Sequence, residues 1–175
     1  MERKLFVGID PGKSGAIVIL DEQGEIAHKQ VVPTIGKEYD AQAVKDILLE
    51  YDSGSNCTIH AMLEDVHAIQ GSAGGTSNFN FGQGKMLWHM GLVCLEIPHT
   101  LIQPKAWQKE AWEGVPIQYK PGSSKKTKDT KATSLLAAKR LFPKADLTKS
   151  EKAKVPHDGI VDALLIAECC RRKFK

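Results

Sequence analysis

The chain has 175 residues and a mass of 19.2 kDa, with 42% hydrophobic, 26% charged and 6% aromatic residues and a net charge of +3. This composition fits one ordinary domain spanning 1–175, without repeats or a clear internal boundary, and excludes a disordered chain or a collagen. No apolar run approaches the roughly 20 residues of a membrane-spanning helix, so no membrane partner is expected.

Lys4 to Asp10 (KLFVGID) reads as a strand, stopped by Pro11-Gly12. Met1 to Leu5 runs straight into it, so no signal or transit segment is expected. Ser14 to Leu20 and Glu25 to Val32 give a second and third strand around the turn at Asp21 to Gly24, making an antiparallel meander. Asp40 is placed to cap a helix from Ala41 to Tyr51, and Thr58 to Glu64 alternates as a fourth strand. Gln70 to Asn80, with its glycines and small polar residues, reads as a loop. Phe81 to Leu95 is apolar on all sides and reads as a buried helix. His99 to Gln103 is a short fifth strand, followed by a helix that Pro104 opens and that carries Trp107 and Trp112. Val115 to Lys128 reads as a mobile basic loop, Thr130 to Leu141 as a helix, Leu147 to Pro156 as a charged connector, and Asp158 to Arg172 as a final helix. The fold class is α/β: a mixed sheet of three antiparallel strands plus parallel strands, with helices on both faces.

The net charge is unevenly distributed. Lys120 to Lys154 holds 11 Lys and Arg against three acids, a net of +8, while the rest of the chain is at −5. A basic stretch on a mildly acidic body points to a polyanion; the competing reading is a solvated lysine-rich face. The four cysteines show no CxxC pair and no zinc-like spacing with histidine, which suits a reduced, cytoplasmic protein.

Four acids fall where acids are costly. Asp10 and Glu64 end apolar strands, and Asp158 and Asp162 lie four apart on one helix face. Each has a plain alternative: Asp10-Pro-Gly as a turn, Asp158 as an N-cap, and Asp65 rather than Glu64 as the solvent-facing neighbour. Together, in three separate elements, they ask for a shared cation. Mg²⁺ suits hard carboxylate oxygens, and a pair of such ions activates water and stabilises the leaving oxygen of a phosphodiester.

The segments GIDPGKSGAIVIL, LEDV and HDGIVDALLIAECCRR, in that order and spacing, resemble the RuvC-like Holliday-junction resolvases of the RNase H-like (retroviral-integrase) superfamily, and most of all the phage and chloroplast branches. The likeness extends over LIQPKAWQKEAWEG and RLFPKADL and so covers nearly the whole chain. It implies an RNase H-like fold and a crossover junction endodeoxyribonuclease. By this resemblance Asp10, Glu64, Asp158 and Asp162 are the catalytic, metal-binding acids, holding two Mg²⁺ (or Mn²⁺) ions. The last two acids are four apart, as in the chloroplast branch, where bacterial RuvC spaces them three apart. One residue turns a helical side chain by about 100°, which makes Asp158 the least secure match, and His157 is the alternative because some members of the family that the chain resembles use histidine there.

The same resemblance implies basic residues near the scissile phosphate, matched by Lys105, Lys109 and Lys131, while Lys120, Lys125, Lys126 and Lys128 on the basic loop are placed to meet phosphates of a neighbouring arm. Candidates for a wedge at the branch point are His67, Phe79 and Phe81, with Phe81 also readable as core. Trp88, Trp107 and Trp112 read as packing residues. The apolar helix around Met86 to Leu95 is implied to form a homodimer interface, although composition alone calls it core. The expected substrate is a four-way junction cut by paired nicks, with no small-molecule cofactor. The setting is a bacterial or phage-infected cytoplasm, or an organelle for a mature organellar protein. The alternatives are a non-catalytic nucleic-acid-binding module on the same fold, and an RNase H-like nuclease acting on hybrids, flaps or forks. An actin-like ATPase shares the first strand and turn but needs a second lobe.

Overall fold

Five strands form one mixed sheet in the computed structural model, which describes residues 3–52, 57–66, 75–122 and 127–175. The elements run β1 (Arg3–Asp10), β2 (Ala16–Leu20), β3 (Ile26–Val31), β4 (Thr34–Ile35), β5 (Glu38–Tyr39), α1 (Ala41–Asp52) and β6 (Cys57–Glu64). They continue with α2 (Gly75–Cys94), β7 (His99–Ile102), α3 (Pro104–Ala111), α4 (Thr130–Leu141) and α5 (Asp158–Phe174). The sheet order is β3-β2-β1-β6-β7. β1, β2 and β3 pair antiparallel, and β1, β6 and β7 pair parallel, as the sequence leads one to expect. The β4-β5 ladder is an addition to that expectation.

Strand alternation sorts the core into two layers. Phe6, Val18, Leu20 and Met62 face α3, α4 and α5, while Leu5, Val7, Ile9, Ile17, Ile19 and Leu63 face α1 and α2. Because β1 and β2 are covered on both sides, their sequences are near-continuous apolar runs. The outer edge of β3 is tied down by Lys29, whose amine donates to Asp146 O and Oδ2, both at 2.5 Å, and to Thr148 O at 3.2 Å.

The helix starts follow local chemistry. Asp40 Oδ1 accepts from Ala43 N–H at 3.0 Å and caps α1, Pro104 opens α3, and Asp129 Oδ1 accepts from Ala132 N–H at 3.0 Å to cap α4. Asp158 is not an N-cap: that position belongs to His157, in extended backbone and without a side-chain cap bond, and Asp158 is the first helical residue.

Two other expectations need correction. α2 begins at Gly75, six residues before Phe81, so part of the expected glycine-rich loop is helical. Nor is α2 buried all round. Trp88 and Leu92 are fully covered, while Phe79 (66% exposed), Met86 (57%), Met90 (47%) and Val93 (46%) face outward. The described parts of the 115–128 segment are irregular, as expected of a loop, and are tied down near 118–120 and 127–129. Lys120 N–H donates to Thr127 O at 2.9 Å, Asp129 N–H to Gln118 O at 2.8 Å, and Gln118 N–H to Thr133 Oγ1 at 3.0 Å.

α5 rests on the sheet through backbone contact. A Cβ at Gly8 would lie 2.1 Å from Ala163 O and 2.2 Å from Ala167 N; one at Gly159 would lie 2.3 Å from Ser14 O and 2.6 Å from Gly15 Cα. Only glycine permits this approach. Gly8→Ala is therefore expected to destabilise the fold by about 3 kcal/mol or to prevent folding, because the obstacle is backbone on both sides. Gly82→Ala, whose Cβ would meet nothing within 4 Å in a helix interior, is expected to be neutral or to stabilise by about 0.5 kcal/mol. Urea denaturation of the two variants checks both.

Candidate active site

Asp10 and Glu64 are the last residues of neighbouring parallel strands whose pairing ends at Ile9 opposite Leu63. Alternation then points both acids to the α5 side, in line with Phe6 and Met62. Asp162 meets them from above: it lies on α5 between Gly159, seated on the Ser14–Gly15 turn, and Ala163, seated on Gly8. Three elements thus deliver three carboxyls to one end of the sheet.

Their electrostatics show how close they are. Burial pushes Glu64 up to about 8, helped by the negative charges of Asp10 and Asp162 and opposed by the Trp107 N–H. Burial pushes Asp162 up to about 7, helped by Asp10 and Asp158 and opposed by a hydrogen bond from Ser134. Asp10 rises to about 6 by burial, partly offset by the Gly12 N–H that donates to its Oδ1 at 3.2 Å. The turn reading of Asp10 is thus true as well, but that bond occupies only one of its oxygens. Asp65, the neighbour of Glu64, faces the other way and pairs with Lys85 of α2.

Asp158 stands at the rim. It is 54% exposed and pairs with Lys131 Nζ at 2.5 Å, which holds the lysine amine above its ordinary value and places it near Asp162. His157 presents a buried Nδ1 without a partner among the described residues, and burial lowers its pKa. The structure therefore brings Asp10, Glu64 and Asp162 together and leaves Asp158 and His157 beside them. The donor set is carboxylate oxygen, the kind that suits Mg²⁺ or Mn²⁺, and a cation among the three would remove the repulsion that raises them. Among the described residues, no group of three or more His, Cys, Asp or Glu is gathered into a ready-made metal cluster.

Of the expected DNA contacts, Lys105 and Lys109 lie exposed on α3, Lys128 in the 127–129 stretch, and Lys131 at the acids. Lys125, Lys126 and His67 lie outside the described residues. Phe79 is outward on α2, and Phe81, 43% exposed, is not core: its Cε1 lies 3.1 Å from where a Gly12 Cβ would be, next to Asp10. Two contributors escaped the sequence reading. Trp107 donates its indole N–H to Glu64 Oε1 at 2.8 Å, and Ser134 bonds Asp162. The available signal was chemical, since a buried indole N–H needs a partner.

The sheet order, the antiparallel meander and the helices on both faces define the RNase H-like fold of RuvC. The chain is similar to RuvC of T. thermophilus in complex with a Holliday junction substrate: 13% identity, 94% of this chain and 90% of that one covered, TM-score 0.55. A second Thermus thermophilus RuvC structure matches at 16% identity over 93% and 90%, with TM-score 0.53. No family model and no curated protein matches the chain.

The three raised carboxyls give a test that needs no substrate. Each holds its proton in the folded state after the unfolded chain has lost it. Between about pH 4 and 8 the folded state therefore binds more protons, and stability falls as pH rises. In EDTA the Tm is expected to drop by about 5 °C or more from pH 5 to pH 8. Asp162→Asn should flatten that slope and raise the Tm at pH 8, as read by calorimetry.

Proposed function

We propose that this protein is a metal-dependent endonuclease that resolves four-way DNA junctions. The observation that carries the reading is the convergence of Asp10, Glu64 and Asp162 at one end of the sheet of a RuvC fold. Further support comes from a protein of the same fold that is in complex with a Holliday junction. In this reading Asp10, Glu64 and Asp162 hold two Mg²⁺ or Mn²⁺ ions, with Asp158 or His157 as the fourth ligand. Bound there, the ions supply an activated water and charge stabilisation at the leaving oxygen.

The chain's own residues do the rest. The three acids fix where the scissile phosphate sits. Lys131 lies beside them, where its amine can pass from Asp158 to a phosphate oxygen. Lys105, Lys109 and Lys128, with Lys125 and Lys126, carry charge for the flanking backbone. Phe81 offers a half-exposed ring next to Asp10 against which an unpaired base can stack.

A second copy would complete the enzyme. Phe79, Gln83, Met86, Met90 and Val93 recur at the spacing of a helix-pairing seam on the outward side of α2. A two-fold dimer through this stripe would match the two-fold symmetry of a junction and give paired nicks. Met86→Glu with Met90→Glu should then yield a monomer by sedimentation that retains the fold and loses paired cutting.

The acids' lack of a preassembled cluster and the Lys131–Asp158 pair favour one other reading, a junction-binding module without catalysis. A gel assay on a four-way junction, linear duplex, fork, flap and RNA–DNA hybrid, with Mg²⁺ and with EDTA, separates the two. The expected result is symmetric nicking of the junction alone, abolished by EDTA. Asp10→Asn should reduce it by at least about 10³-fold while junction binding persists. Binding without cutting in Mg²⁺ or Mn²⁺ would establish the module instead.

A further inference from the structure

We infer that Trp107 and Trp112 are positioning residues for the proposed metal-binding acids, Trp107 acting directly on Glu64 and Trp112 acting on Asp162 through Ser134. The inference rests on the reading of those acids as metal ligands.

An indole N–H is a donor only, so whatever it bonds must be an acceptor. Trp107 is 1% exposed and its N–H reaches Glu64 Oε1 at 2.8 Å. Packing does not require this. Trp88 is 0% exposed in the opposite layer, and its Nε1 has no partner among the described residues. The N–H of Trp107, by contrast, is placed on a carboxylate.

Trp112, the C-cap of α3, extends the arrangement. Its Nε1–H donates to Ser134 Oγ at 3.3 Å, and Ser134 is 2% exposed. The serine hydroxyl has one proton to give. With its oxygen receiving the indole, that proton is directed at Asp162, its hydrogen-bond partner on α5. The two indole rings meet edge to face, 6.4 Å apart at 81°, so each limits the rotation of the other. One short helix opened by Pro104 thus braces an acid of β6 directly and an acid of α5 through α4.

The donors are neutral, and that is the functional point. A lysine or arginine in either place would orient the carboxylate but also neutralise it, as Lys131 does to Asp158 at the rim. An indole and a hydroxyl orient the oxygens and leave the negative charge for a cation, as supporting donors do behind metal ligands elsewhere.

The test is Mn²⁺ binding by the full chain, read as free Mn²⁺ by electron paramagnetic resonance, with folding followed by circular dichroism. Trp107→Phe keeps the ring and removes the N–H, and it should weaken Mn²⁺ binding by about 10-fold. Trp88→Phe makes the same change away from the acids and should leave affinity unchanged. In a Glu64→Gln background, Trp107→Phe should cause no further loss. Ser134→Ala and Trp112→Phe test the second arm, each expected to cost several-fold; they remain informative should Trp107→Phe fail to fold. Wild-type affinity in folded Trp107→Phe, Ser134→Ala and Trp112→Phe would overturn the inference. So would equal losses with Trp88→Phe, or an undiminished loss in the Glu64→Gln background. A wild-type chain that binds no Mn²⁺, or binds it equally well after Asp10→Asn, would bring down the underlying reading as well. Binding that Asp10→Asn abolishes but the tryptophan variants do not change would overturn this inference alone.

Discussion

The approach of α5 to β1 at Gly8 is the constraint on which the site depends. A strand and a helix normally keep a layer of side chains between them. Here the helix backbone at Ala163 and Ala167 occupies the space where a Cβ of residue 8 would sit, and Gly159 repeats the approach at the turn after β1. Asp162 lies between the two contact points, so its carboxyl is lowered onto the strand ends instead of standing a side-chain layer away. The small residues of α5 follow from the same need: Gly159, Ala163 and Ala167 recur at helical spacing on the side that touches the sheet. Packing and site geometry are here one requirement.

That geometry has an electrostatic cost. Burial raises the pKa of all three carboxyls, with charge repulsion adding to it at Glu64 and Asp162, and in the absence of a cation this opposes the packing that assembles them. Among the described residues no buried lysine or arginine relieves this. The protein uses Gly12 N–H, the Trp107 indole and the Ser134 hydroxyl, which lower the cost without cancelling the charge. Lys131, whose charge acts on Asp162, is kept on the exposed side with Asp158.

Much of the fold was legible because its signals are local and periodic. Apolar runs covered on both faces marked β1 and β2, and Asp40 and Pro104 marked helix starts. The start of α2 was not legible. Gly75 to Asn80 is rich in glycine and small polar residues that favour turns, yet it is helical. Nor could composition reveal that one side of α2 is covered by the sheet and the other is open, because both sides are apolar. At the site, period-two alternation already put Asp10 and Glu64 at strand ends. The tryptophans looked like packing residues because a pattern of hydrophobic positions contains no information about where an N–H points. The ties of the 118–120 stretch to the start of α4 were not legible either, because they run to Asp129 and Thr133 beyond the segment.

Lys29 has a consequence for how copies of this chain can meet. β3 is an outer strand of the sheet, and the free hydrogen-bonding groups of such a strand invite an extended segment of another molecule. The lysine ties this edge to the 146–148 stretch by three bonds, and a charged side chain in that position discourages strand addition. At the opposite end of the sheet, β7 offers only four residues. With one edge bridged and the other short, growth by sheet extension is disfavoured, and the outward side of α2 is left as the larger exposed apolar surface. A pairing of two such helix surfaces, as the proposed dimer requires, would be closed: each molecule would satisfy the other and leave nothing for a third.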